Sequence, residues 1–148
     1  MRPYLILSLM LALLGSTIGC EMFSAKKSAE NRVQKFARLV LAEQAFDQAK
    51  TLLGKDADKE AFADLQEKLE SAQNIQFMYL GSDNVEVDNW TVYQWAIQDM
   101  TRNGKRYQGR LDIVVDESTG KLLVTDLGLE PFDGSYLDMA PPSETTGE

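Results

Sequence analysis

The chain is an α+β protein: two N-terminal helices packed on a curved antiparallel β-meander of about four strands. Three observations predict it. Apolar residues recur at helical spacing from Asn31 to Asn74. The period then changes to two from Ile75 onward. Asn103-Gly104 sits between two apolar runs, the strongest short hairpin signal, because both central residues must accept positive φ.

Helical spacing opens at Ser28 or Asn31 and runs to about Leu53. Val33, Phe36, Ala37, Val40 and Leu41 make one stripe, continued by Ala45, Phe46, Ala49, Leu52 and Leu53. Gly54 suits the left-handed position that ends a helix. Asp56 or Asp58 then caps a second helix, with Phe62, Leu65, Leu69 and Ala72 on its apolar face, ending near Asn74. The short connection makes the two helices an antiparallel or angled pair.

The first strand is Ile75 to Leu80, rich in β-formers. Gly81-Ser82-Asp83-Asn84 reads as a turn, and Val85 to Asp88 as a short strand or the start of the next. Asn89 to Met100 is a long aromatic strand. After the Asn-Gly turn, Arg106 to Val115 returns. Tyr107, Leu111, Ile113 and Val115 face one way, and Gln108, Arg110 and Asp112 the other. Gly109 suggests a bulge or bend. Lys121 to Leu129 is the last strand, with Leu122 and Val124 on one face and Leu123, Thr125 and Leu127 on the other. From Pro131 the pattern stops in an acidic tail with no Lys or Arg. Phe132, Tyr136, Leu137 and Met139 are available to dock part of it, and Pro141 onward is expected to be mobile.

Composition bounds the chemistry. At 148 residues, 44% hydrophobic and 26% charged, the chain is long enough for one domain with its own core. A net charge of −8 argues against nucleic acid as a partner, which needs a positive face to displace phosphate counterions. There is no histidine, and Cys20 is the only cysteine. His/Cys metal sites, Cys–His pairs, Ser–His–Asp triads and an internal disulfide are excluded. No cofactor is expected.

The N-terminal stretch is distinct. Arg2 precedes an apolar run from Tyr4 to Leu14, broken only by Ser8 and too short to span a hydrocarbon core. Small residues follow it. Ser16-Thr17-Ile18-Gly19-Cys20 resembles the lipobox of bacterial lipoproteins, with Thr17 where leucine is commonest. That resemblance implies a signal peptide over 1–19 and a lipidated cysteine and tether over 20–30. Acylated Cys20 would hold the chain on a bilayer in the bacterial envelope. Glu21 leans to the periplasmic face of the outer membrane in the enteric pattern. Lys26 and Lys27 either meet anionic headgroups or are solvated lysines at the start of a helix. An ordinary secretory signal with an incidental cysteine, or an uncleaved anchor, is the alternative.

The order of the remaining elements resembles the cone-shaped α+β roll of the nuclear transport factor two-like and ketosteroid isomerase-like families, and more loosely the cystatin-like arrangement. The helices at 31–73, the strand Trp90 to Met100 and the pair RYQGRLDIVV / KLLVTDLGL carry it. It covers residues 31–130, leaving 131–148 as tail. It implies the fold and no catalytic position.

Three residue sets are candidates for function. Tyr79, Trp90, Tyr93, Trp95 and Tyr107 either line a pocket or fill the core. Arg102, Lys105, Arg106 and Arg110 on the hairpin form an anion or partner patch, or a solvated tip. Asp99, Asp112 and Asp126 on adjacent strands offer a buried acid beside tyrosine, or surface carboxylates opposite Arg106 and Arg110. The expectation is a non-enzymatic envelope module that binds another envelope protein or a small ligand. An isomerase-like pocket and a purely structural role are the alternatives. A filled core would favour a protein partner, and a concave pocket a ligand.

Overall fold

The computed structural model describes residues 27–85 and 89–140, apart from the side chain of Val124. Cys20, the leader, Glu86–Asp88 and the tail from Pro141 lie outside the described residues. Helix α1 covers 27–41, α2 is Phe46–Lys50 and α3 is Lys59–Glu70. Strands β1 (Ala72–Val85), β2 (Trp90–Arg102), β3 (Lys105–Asp116) and β4 (Lys121–Pro131) follow. They pair in chain order as an antiparallel four-stranded meander. The α+β class read from the sequence is the class observed, and α3 packs along β4.

The first helical stripe is broken, not continuous. Gln44 takes φ of 50° and ends α1. Glu43 N donates to Arg38 O at 3.1 Å and Ala45 N to Leu39 O at 2.8 Å, closing the helix end. The Gln44 side-chain amide then donates to Leu69 O and Ala72 O, both at 2.8 Å. It ties the break to the α3–β1 junction. Nothing in the spacing marks this break, because Phe46 and Ala49 stay buried on the same stripe. Asp58 caps α3 as expected, accepting from the Glu60 and Ala61 amides.

Two strand expectations are corrected. Gly81 to Asn84 is not a turn, since β1 runs through it paired to β2 as far as Val85. Gly81, at φ 126°, absorbs a register shift there. In β4 a second shift places Val114 opposite Val124 and Val115 opposite Leu122. The intervening bulge at Leu123 reverses the alternation, so Leu122, Thr125 and Leu127 share the buried face. It also turns two successive carbonyls to the sheet edge. Gly54 N donates to Leu122 O at 2.9 Å and Asp58 N to Leu123 O at 2.8 Å. Lys68 Nζ reaches Leu127 O at 2.8 Å. The outer edge of β4 is thereby covered by the α2–α3 connection and α3.

The core lies between the helices and the inner sheet face. Val33, Phe36 and Val40 of α1 and Phe62, Leu65 and Leu69 of α3 meet Tyr93, Trp95, Ile97, Leu111 and Ile113. Phe36 and Phe62 rings lie 6.1 Å apart, tilted by 60°. Gly109 stands where a Cβ would collide with the Gly128 carbonyl, so β3 and β4 approach closely only because this position has no side chain. The bulge suggested by Gly109 is borne by the neighbouring strand, where Gln98 and Asp99 together oppose Gln108.

The segment after β4 packs on the outer sheet face. Gln108 is fully buried although it points away from the helices. Its Nε2 lies 3.0 Å from Glu130 Oε1, 2.6 Å from Asp133 Oδ1 and 2.9 Å from Ser135 Oγ. Its Oε1 accepts from the Asp133 and Gly134 amides at 3.3 and 3.2 Å. Gln98 Nε2 donates to Tyr136 O at 3.2 Å, and Arg106 lies 3.7 Å over the Phe132 ring. Residues 132–136 therefore form a strap across the outer face.

Candidate functional site

The five aromatics divide. Tyr79, Tyr93 and Trp95 share the inner face, with Tyr79 and Trp95 rings 5.0 Å apart at 47°. Tyr107 is inward too, but opposite Met100 at the far end of the sheet. Trp90 is on the outer face and 37% exposed. Tyr93 and Trp95 are core residues, as the core alternative has it.

Burial sets the electrostatics of the inner tyrosines. Tyr93 Oη donates to Glu117 Oε1 at 3.2 Å. Desolvation, then the Glu117 charge, hold its hydroxyl protonated well above the ordinary tyrosine range. Tyr79 is raised as well, mainly by burial, with Ser82 opposing the shift through a hydrogen bond. Both hydroxyls are protonated at neutral pH, and that of Tyr93 donates to Glu117.

The three aspartates are on the other side of the sheet. Asp99 receives both Nε (3.1 Å) and Nη2 (2.6 Å) of Arg106. Asp112 receives Nη2 of Arg110 at 3.0 Å and sits directly across from Asp126. Asp126 is exposed, and Asp99 and Asp112 are half-buried acids held by arginines on the outer side of the sheet, away from the inner tyrosines. With Gly128 and Tyr136, Asp112 and Asp126 edge a shallow outer depression of about 290 Å³.

The basic hairpin set is dispersed by these same pairs. Arg106 and Arg110 are held by acids in their own sheet. Arg102 turns toward the C-terminus of α3, with Nη2 donating to Glu67 O and Nε to Ser71 Oγ, both at 3.3 Å. Lys105 is exposed at the turn. The structure does not assemble them into one patch.

A groove of about 500 Å³ opens between α1 and the inner edge of β1 and β2. Phe77, Trp95 and Ala37 supply its apolar lining, and Asn31, Gln34, Lys35 and Arg38 its polar rim. Arg38 Nε lies 3.0 Å from Glu43 Oε1, outside the groove lining. The lining has two cations and two amides but no carboxylate. Such a surface accepts an apolar body with a hydrogen-bond-accepting or anionic end. Of these residues only Trp95 stands out in the sequence. The others become neighbours because α1 crosses the sheet beside β1, and a helix-face glutamine or lysine carries no signal of that crossing.

No family model matches the chain, and no curated protein does. Two solved structures are similar to it. One is a chain named Rd1NTF2_05 carrying five substitutions, 17% identical, covering 70% of this chain and 99% of its own, with a TM-score of 0.48. The other is an NTF2-like protein of unknown function from Exiguobacterium sp. 255-15, 15% identical, covering 69% of this chain and 98% of its own, with a TM-score of 0.45. The fold assignment rests on the element order, strand register and helix packing of this chain itself.

Proposed function

We propose that the chain is a non-enzymatic binding module, tethered to the bacterial envelope by an acylated Cys20, that takes its ligand in the groove between α1 and β1. One observation carries the reading: the groove combines an apolar floor, Phe77 and Trp95, with a rim of amides and cations and no lining carboxylate. The ligand class that fits is an apolar chain or ring ending in a carboxylate or similar anion. The inner tyrosines serve as protonated packing groups in this reading, not as acid–base catalysts. The lipobox-like residues Ser16 to Cys20 support the tether, with Glu21 favouring the periplasmic face of the outer membrane.

The binding test uses Trp95 fluorescence in a Trp90→Phe background, with laurate and dodecylamine as paired probes. A saturable change with laurate, weakened by Lys35→Glu and smaller with the amine, is expected. Equal responses to both probes, or none, would overturn the groove assignment. Intact mass of membrane-extracted protein tests the tether, because a mature form beginning at Cys20 must carry added lipid mass.

A further inference from the structure

We propose that the end of the domain carrying Trp90 and Val85 rests on the lipid bilayer, with Trp90 at the boundary between headgroups and acyl chains. The inference depends on the acylated-Cys20 reading above and adds to it an orientation for the folded body.

The first observation is where the tether enters. Lys27, the first described residue of α1, follows Cys20 by seven residues. Even fully extended, that length reaches only about 25 Å. The beginning of α1 is fixed to one end of the sheet. Arg32 Nη1 donates to Gly120 O at 2.7 Å, and a Cβ at Gly120 would lie 3.8 Å from that of Ala29. Gly120 belongs to the β3–β4 turn, which opens at Asp116. Asp116 pairs with Trp90, Glu117 N donates to Asn89 O at 2.9 Å, and Trp90 pairs with Val85. The tether and the Trp90–Val85 pair therefore share one end of the domain.

The second observation is the character of that end. Among the described residues, three large apolar side chains are exposed: Val85 and Trp90, each 37%, and Leu137 at 48%. Two of them are cross-strand neighbours at the tethered end. Leu137 belongs to the segment that follows the outer-face strap. Trp carries a large apolar ring with one N–H donor, which suits the bilayer interface. Charges at this end are mixed and net acidic: among the described residues Lys27, Arg32 and Lys121 stand with Glu30, Asp83, Asp116 and Glu117, and the sequence adds Glu86 and Asp88 between Val85 and Trp90. The contact is thus apolar in origin and insensitive to salt, unlike headgroup attraction by a basic patch. A short lipid tether holds this pair at the surface, so a small apolar area suffices where free protein would dissociate.

The test is quenching of tryptophan emission by brominated acyl chains in phosphatidylcholine vesicles carrying the full lipidated protein. Wild type is compared with Trp90→Phe, and with Trp90→Phe combined with Leu137→Trp. Trp95 is 2% exposed but lines the groove, so the Trp90→Phe variant supplies its contribution as the baseline. Loss of the Trp90 component in wild type, no loss beyond that baseline when Trp stands at position 137 and no reversal by salt are expected. Vesicle-bound wild type without quenching would overturn the orientation and leave the anchor standing. Quenching at position 137 instead would overturn it as well. Protein that carries no lipid and does not float with vesicles would defeat the anchor, and this inference with it.

Discussion

Gln108 Nε2 donates to Asp133 Oδ1 at 2.6 Å, joining the middle of β3 to the segment that follows β4. The same side chain accepts two amides of that segment, so one glutamine fixes the strap by both ends of its amide. Gln108→Ala should cost roughly 2–3 kcal/mol, since it removes a buried network and leaves the strap amides without their acceptor. Urea unfolding measures the loss. Hydrogen exchange at Gly134 and Ser135 should rise more than exchange in β2.

The strap should also loosen in acid. Hydrogen bonds from the Ser135 hydroxyl and amide, then from Gln108, lower the Asp133 pKa below the ordinary carboxylate value. A carboxylate lowered on folding stabilises above its unfolded pKa, near 3.9, and loses that contribution as pH falls through the folded value. Asp116, lowered mainly by Ser118 in the β3–β4 turn, follows the same sign. Amide exchange at both segments should be flat from neutral pH to about pH 5, after correction for intrinsic rates, and lose protection below about pH 4. Asp133→Asn should flatten the change in the strap but not at Ser118.

Gly109 and Gly128 are neighbours with opposite tolerances. A methyl group at Gly109 meets the Gly128 carbonyl, whereas a Cβ at Gly128 has nothing within 4 Å. Gly109→Ala should destabilise by about 2–3 kcal/mol, because β3 and β4 must part. Gly128→Ala should change stability little. Thermal melts of the two variants decide it, and similar losses would show that the close approach is not selective.

The break after α1 is set by Gln44. Gln44→Ala loses the bonds to Leu69 O and Ala72 O and keeps a left-handed residue with a Cβ, costing roughly 2–3 kcal/mol. Gln44→Gly loses the same bonds without that strain, so it should be the milder of the two by about 1 kcal/mol. Chemical denaturation of both separates the hydrogen bonds from the backbone term.

Element order was legible because periodicity is a local property. Phe62, Leu65 and Leu69 mark α3 at helical spacing, and the Asn103-Gly104 turn sets the β2–β3 hairpin at its observed place. Leu122 and Thr125 show where that reasoning ends. Strict alternation puts them on opposite faces, yet the bulge at Leu123 puts both in the core. A bulge is decided by pairing with β3 and with the α2–α3 connection, not by β4 alone. Gln108 shows the same limit. Its alternation correctly gives the outer face, and only the returning strap makes that position buried.

By itself the sequence determined the α+β class, the strand order of the meander and the absence of histidine chemistry, all consequences of residue type and short-range spacing. Tertiary structure decided the groove and the sorting of the candidate residues. Phe77, Trp95, Lys35 and Arg38 meet because α1 crosses beside β1, and Arg106 pairs with Asp99 across the β2–β3 hairpin, whereas Arg110 and Asp112 are same-face neighbours two residues apart in β3. The groove brings together residues far apart in the chain, governed by helix crossing and strand register, which no local pattern encodes.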